Sequence, residues 1–110
     1  MALKGVQIEV DSWMKQFKVP YWKPHEILAR LTEEVGEVAR EVNCVYGPKK
    51  KKSDEKENSI GAELGDIIFT VAGFANSLNI DLDKEFQKVM DKCYKRDNNR
   101  YERKDAPSGN

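Results

Sequence analysis

Apolar residues recur along this chain at helical spacing. Val6, Val10, Trp13, Met14 and Phe17 follow steps of three, four and one, which predicts a first helix over about Leu3 to Phe17. Val19-Pro20-Tyr21-Trp22-Lys23-Pro24 breaks it; Pro20 and Pro24 forbid continuation, and Pro24 suits the first turn of the next helix. Ile27, Leu28, Leu31, Val35, Val38, Val42 and Val45 form one stripe, predicting a second helix from Pro24 to about Val45, ended by Tyr46-Gly47-Pro48. A third helix is expected from a cap at Asn58 or Ser59 to about Leu78. After the turn Asn79-Ile80-Asp81, a fourth starts from Asp81 as cap. Leu82, Phe86, Val89, Met90, Cys93 and Tyr94 are its expected inner face, and it is expected to fray beyond Asn98.

No stretch shows the two-residue alternation of a strand. Four helices with short connections predict an all-α four-helix bundle. At 110 residues the chain has the length of one domain, expected over 1–104. A mobile charged loop is expected over about 47–58, and a disordered tail over 105–110.

The third helix carries the most telling pattern. It is apolar on nearly every side, yet it contains Glu63 and Asp66, and no Lys or Arg occurs from Ile60 to Leu82. Residues three apart share a helix face. Carboxylates buried without a cation cost several kcal/mol per ion, so something positive is expected to meet them. The second helix offers Glu34 and Glu37 at the same spacing. Joined by one loop, the two helices should pack antiparallel. Glu37 lies roughly 14 Å along its helix from Tyr46, and Asp66 roughly 10 Å from Ser59, so the two acidic pairs face one another at similar depth. Four carboxylates from facing helices suit a hard cation, Mg²⁺ or Mn²⁺. Gly36 and Gly65 sit beside these acids; glycine inside a helix costs about 1 kcal/mol relative to alanine. Close approach of a helix or a ligand would offset that cost.

The competing account makes Glu33, Glu34, Glu37 and Glu41 a solvated face. Arg30 precedes Glu34 by four, and Arg40 follows Glu37 by three, so local ion pairs are available to the second helix. Glu63 and Asp66 have no such partners. Glu33 and Glu41 remain open among three roles: supporting the ligands, acting as a general base, or facing solvent.

Charged residues make up 35% of the chain but cancel to a net charge of zero, so overall charge gives no argument for nucleic-acid binding. Lys49 to Lys52 is a basic run, but acids follow it at once and no aromatic interleaves with it; a solvated loop is the expected reading. Cys44 and Cys93 form no C-x-x-C pair, and the one histidine, His25, has no ligand partner, so a Cys/His zinc site is not expected. Lone thiols point to a reducing cytosol. No signal-like apolar region opens the chain, and no apolar stretch is long enough to span a bilayer, so no membrane partner is expected.

Glu33-Glu34-Val35-Gly36-Glu37, followed after a loop by Glu63-Leu64-Gly65-Asp66, resembles the E-E-x-x-E … E-x-x-D signature of MazG-like nucleotide pyrophosphohydrolases. The similarity extends through Leu31 to Asn43, Gly65 to Phe69, Ala75 to Leu78 and Lys95-Arg96-Asp97, and covers about Val10 to Arg103. The resemblance implies an all-α fold of the short, stand-alone type. It also implies Mg²⁺-dependent cleavage of a nucleoside triphosphate to the monophosphate and pyrophosphate. A homodimer or a dimer of dimers, often with active sites near subunit interfaces, is part of the same implication. By motif position Glu34, Glu37, Glu63 and Asp66 are the implied metal ligands, with Glu33 matching the first Glu of the pattern.

The chemistry fits these residues. Water attacks the α-phosphorus, pyrophosphate leaves, and Glu34 or Glu37 is a candidate to take the proton. Lys92, Lys95, Arg96 and Arg100 are candidate phosphate partners; the alternative is a basic last turn that complements the helix dipole and pairs with Asp97. Trp22, with Trp13, Phe17 and Tyr21, offers faces for a nucleobase, although core packing is the commoner use of such residues. Asn76 is placed to hydrogen-bond a ligand or another helix. The alternatives to an enzyme are a non-catalytic nucleotide-binding module of the same fold and a helical partner-binding protein whose acids are surface charge.

Overall fold

The computed structural model describes residues 2–48 and 59–105. It contains four helices: α1 (Leu3–Met14), α2 (Pro24–Tyr46), α3 (Ile60–Ser77) and α4 (Leu82–Lys95). No strand occurs among the described residues, and the all-α expectation holds. Most of the expected loop and tail lie outside the described residues, as do Asn58 and the run Lys49 to Lys52.

Local chemistry explains the helix ends. α1 stops three residues earlier than its apolar pattern predicts. Its chain tightens into a turn in which the Phe17 N–H donates to Met14 O at 3.2 Å, so Phe17 extends the apolar stripe without extending the helix. Pro24 opens α2, and the Glu26 carboxylate accepts the Lys23 N–H at 3.0 Å. Ser59 caps α3: its hydroxyl accepts the Ala62 N–H at 2.8 Å. α3 ends where Asn79 takes a left-handed φ of 55°, a conformation that asparagine tolerates, and the Ile80 N–H returns to Ala75 O at 2.8 Å. Asp81 then caps α4 by accepting from the N–H groups of Asp83 and Lys84.

α3 is central. It packs against α2 on one side and α1 on the other, while α4 lies against α1. The α1–α3 contact is close because α3 presents Ala72, Gly73 and Ala75, all buried; a Cβ on Gly73 would stand 3.9 Å from both Tyr21 and Val10. A polar latch reinforces the contact. The Gln7 amide donates to Asn76 Oδ1 at 3.0 Å and to Ile80 O at 2.8 Å, and its oxygen accepts the Leu82 N–H at 3.0 Å. Asn76 donates in turn to Gln7 O and to the Tyr21 hydroxyl, and that hydroxyl donates to Asp11 at 2.5 Å.

Burial departs from the predicted stripes. Of the α2 stripe, Ile27 is buried, but Leu28, Val35, Val42 and Val45 are exposed. The expected inner face of α4 is not covered either: Phe86, Val89, Cys93 and Tyr94 are exposed. Buried on α2 and α3 instead are Glu34, Glu41 and Glu63. A period identifies an apolar face but not its neighbour. Within one chain, α2 turns part of its acidic side toward α3.

Candidate metal centre and adjoining cavity

The two acidic pairs meet. Glu34 and Glu37 from α2 and Glu63 and Asp66 from α3 each offer a carboxylate oxygen, and these oxygens all lie within 4.8 Å of one another. Glu34 and Glu63 are buried at 2% and 5% exposure, whereas Glu37 and Asp66 are open to solvent. Glu34 Oε2 and Glu63 Oε2 are buried and make no hydrogen bond. Leaving a buried acceptor unmatched is unfavourable, and both oxygens belong to residues of the acidic cluster, where a cation would offset that cost.

The electrostatics agree. Burial, and then the like charges of Glu37 and Asp66, push the Glu34 carboxyl up, against the lowering effect of Arg30. Glu63 is also raised, first by the hydrogen bond it shares with Glu37, then by burial and by the charges of Glu37, Asp66 and Glu34. Without a cation these groups hold protons above the usual carboxylate range; a divalent ion would displace them.

Arg30 forms the local pair that the competing account requires, but only with one oxygen. Its Nη2 lies 2.6 Å from Glu34 Oε1 and its Nη1 3.5 Å from Glu33 Oε2. Glu34 Oε2 stays unmatched, so the ion pair and a cation site coexist. Glu33 is exposed beside Arg30 and outside the cluster of four. Gly36 and Gly65 do not mark a close helix contact: a Cβ on either would meet nothing within 4 Å in this chain.

A cavity of about 470 Å³ opens beside the acids. Glu34, Asp66 and Arg30 line it together with Trp13, Phe17, Trp22, Phe69 and Phe74. Trp13 meets Phe17 edge-on at 5.0 Å and Phe69 at 5.9 Å. Trp22 lines the same cavity and is exposed. Phe69 and Phe74 escaped the sequence reading because an apolar helix offers no sign of which aromatic faces a cavity.

Other candidates go elsewhere. Asn76 uses its amide to join α3 to α1 and Tyr21, which is the helix–helix alternative. Lys92, Lys95 and Arg96 are exposed on the last turn of α4 and at its end, apart from the residues lining the acidic cluster and the cavity. Arg96 pairs with Asp97 through two contacts of 3.1 and 3.2 Å, and Arg100 approaches the same carboxylate at 3.9 Å.

Comparison with known proteins decides the family. Residues 23–101 match the model of the MazG nucleotide pyrophosphohydrolase domain. The chain belongs to the MazG nucleotide pyrophosphohydrolase family. YpjD of Bacillus subtilis, an uncharacterised protein, is 47% identical over 104 residues, 94% of either chain. YvdC of the same organism is 30% identical over 99 residues, 80% of this chain and 92% of its own length. The crystal structure of YpjD, a candidate pyrophosphatase, superposes with a TM-score of 0.74 over 84% of this chain and 94% of that one. A Bacillus-conserved MazG protein described as a nucleotide pyrophosphohydrolase gives a TM-score of 0.74 at 47% identity, covering 87% and 93%. As a MazG-family hydrolase, the protein acts on phosphoanhydride bonds of nucleotides. No helix among the described residues is long and apolar enough to cross a membrane.

Proposed function

We propose that the protein is a Mg²⁺-dependent nucleoside triphosphate pyrophosphohydrolase that converts (d)NTP to (d)NMP and pyrophosphate in the cytoplasm, in nucleotide-pool regulation or house-cleaning. The observation that carries this reading is the convergence of Glu34, Glu37, Glu63 and Asp66, with two buried oxygens unmatched and with Glu34 and Asp66 lining an aromatic cavity. These four are the proposed ligands of Mg²⁺, with Mn²⁺ as a substitute. Bound there, the ion would polarise phosphate oxygens and make water more acidic.

The chain's own residues supply the rest. Trp13, Trp22 and Phe69 offer ring faces to a base, and the cavity leads from them to the acids. The nucleotide then lies with its phosphates toward the carboxylates. Water adds to the α-phosphorus, the bond from that phosphorus to the bridging oxygen breaks, and pyrophosphate departs. Glu34 or Glu37 is the candidate carboxylate to accept the proton from water. The cavity's aromatic walls offer contacts that any flat base can use.

The oligomer belongs to the same reading. Leu28, Val35 and Val42 recur every seven residues along α2 and are 37–54% exposed, and Leu64 and Ile68 on α3 are as open. An apolar surface of this kind marks an interface. A homodimer or dimer of dimers covers it and takes the place of the inner packing that α2 lacks within one chain.

The test is a panel of NTPs and dNTPs incubated with and without Mg²⁺, with products resolved. Monophosphate plus pyrophosphate, formed only with the metal, is the expected result. Loss of the γ-phosphate alone, or nucleotide binding without turnover, overturns the reading, and the second outcome would favour the non-catalytic module.

A further inference from the structure

We propose that Arg30 is a catalytic residue, donating from its guanidinium to the α-phosphate at the junction of the aromatic cavity and the acidic cluster. The inference rests on the nucleotide reading above and extends it to a residue outside the acidic signature.

The cavity fixes the place. Its aromatic and acidic residues line one continuous space. In a nucleotide whose base sits among Trp13, Trp22 and Phe69 and whose phosphates reach the acids, the α-phosphate is the one nearest the aromatic residues, because it is the phosphate bonded to the ribose. Arg30 lines this same cavity beside Glu34 and Asp66. Among the described residues that form the wall, it is the basic one.

The guanidinium is held but not used up. One turn of α2 sets Glu33 and Glu34 three and four residues beyond it, and each takes one end of the fork, at 3.5 and 2.6 Å. A guanidinium has five N–H donors, so donors remain after these two contacts, and the side chain is 46% exposed. A planar donor fixed at two points is pre-oriented for phosphate oxygens. As water adds to the α-phosphorus, charge builds on the non-bridging oxygens there, and a fixed donor at that position favours the transition state. α3 has no Lys or Arg to offer, Arg96 just beyond α4 pairs with Asp97, and no residue of α4 lines the cavity.

The rival role is that Arg30 only props Glu34. The two roles differ in the sign of their effect on metal binding. Removing a cation beside carboxylates leaves divalent-ion affinity equal or tighter, whereas removing a prop weakens it.

The experiment uses the full chain and its Arg30→Ala and Arg30→Lys variants. Mn²⁺ binding is read by electron paramagnetic resonance, and hydrolysis is read on the NTP and dNTP panel. The expected result is a kcat for Arg30→Ala roughly 100-fold or more below wild type, partial recovery in Arg30→Lys, and a Mn²⁺ Kd unchanged or lowered in both. A kcat within threefold of wild type overturns the proposal, as does a loss of Mn²⁺ affinity that parallels the loss of rate. Should wild type hydrolyse nothing in the panel, the functional reading has failed, and Arg30 is judged on α,β-methylene-ATP and α,β-methylene-dATP with Mn²⁺, followed by Trp13 and Trp22 fluorescence. Weaker binding in Arg30→Ala with intact Mn²⁺ binding supports the phosphate contact; binding equal to wild type, or no binding by wild type, overturns it.

Discussion

Replacing Gln7 by Leu tests how the aromatic cavity is held open. Gln7 is 9% exposed, and its side chain makes three hydrogen bonds that tie α1 to α3 and to the start of α4. Leucine has similar bulk but none of these bonds. It leaves Asn76 Oδ1, Ile80 O and the Leu82 N–H without their partner. The region is partly buried, so each loss falls at the lower end of the usual range, about 1 kcal/mol. The added apolar side chain returns at most about 1 kcal/mol. The net cost is therefore about 2 kcal/mol, a fall in Tm of about 10 °C for a chain of this size. Urea titration followed by far-UV circular dichroism measures it as a lower midpoint at unchanged slope. Because the latch sets α1 against α3, it also places Trp13 against Phe69, so nucleotide affinity should weaken while Mn²⁺ affinity holds. A loss below about 0.5 kcal/mol, the range of ordinary surface substitutions, would refute the latch.

Four further outcomes are expected. Glu63→Gln should weaken Mn²⁺ binding by at least roughly tenfold. It should also cut the stabilisation that metal confers on wild type, about 2.7 kcal/mol at 100 times Kd, to about half or less at the same metal concentration, as read by thermal melts with and without metal. Those melts carry a pH signature. Glu34 and Glu63 are raised in the folded, metal-free protein, so they favour folding at low pH, and that contribution is lost as pH climbs through their raised values; saturating Mg²⁺ should remove the decline and release protons, measurable by calorimetry in two buffers. Tyr21 acts at the other end of the scale: burial, and then its hydrogen bond to Asp11, push it up to about 12 from 10.0. Its contribution is whole below pH 10.0 and is lost as pH rises toward about 12, so Tyr21→Phe should flatten the alkaline limb of the stability curve. Val35→Asp, at an exposed apolar position of α2, should lower the oligomer mass in light scattering while leaving helix content intact; an unchanged mass would move the interface elsewhere.

Much of the fold was legible because its determinants are local. A 3.6-residue period, Pro24 at a helix start, and the caps Ser59 and Asp81 act within a few residues of themselves, and the four helices lie where these signals put them. The acidic pairs were legible for a related reason: α3 carries two charges with no local neutraliser, and a hairpin of two helices has few ways to supply one. The tertiary structure alone decided what each face meets. Asn76 had two open roles until Gln7 and Tyr21 were found around it, 69 and 55 residues away in sequence. Arg30 reads in sequence as a helix-surface partner of Glu34, and only the packed chain puts both on the wall of one cavity. Much of α2 and α4 reads as core but remains uncovered within one chain. Periodicity, caps and charge spacing are properties of neighbours along the chain; helix rotation and facing partners arise from contacts between distant segments, and those exist only once the chain has packed.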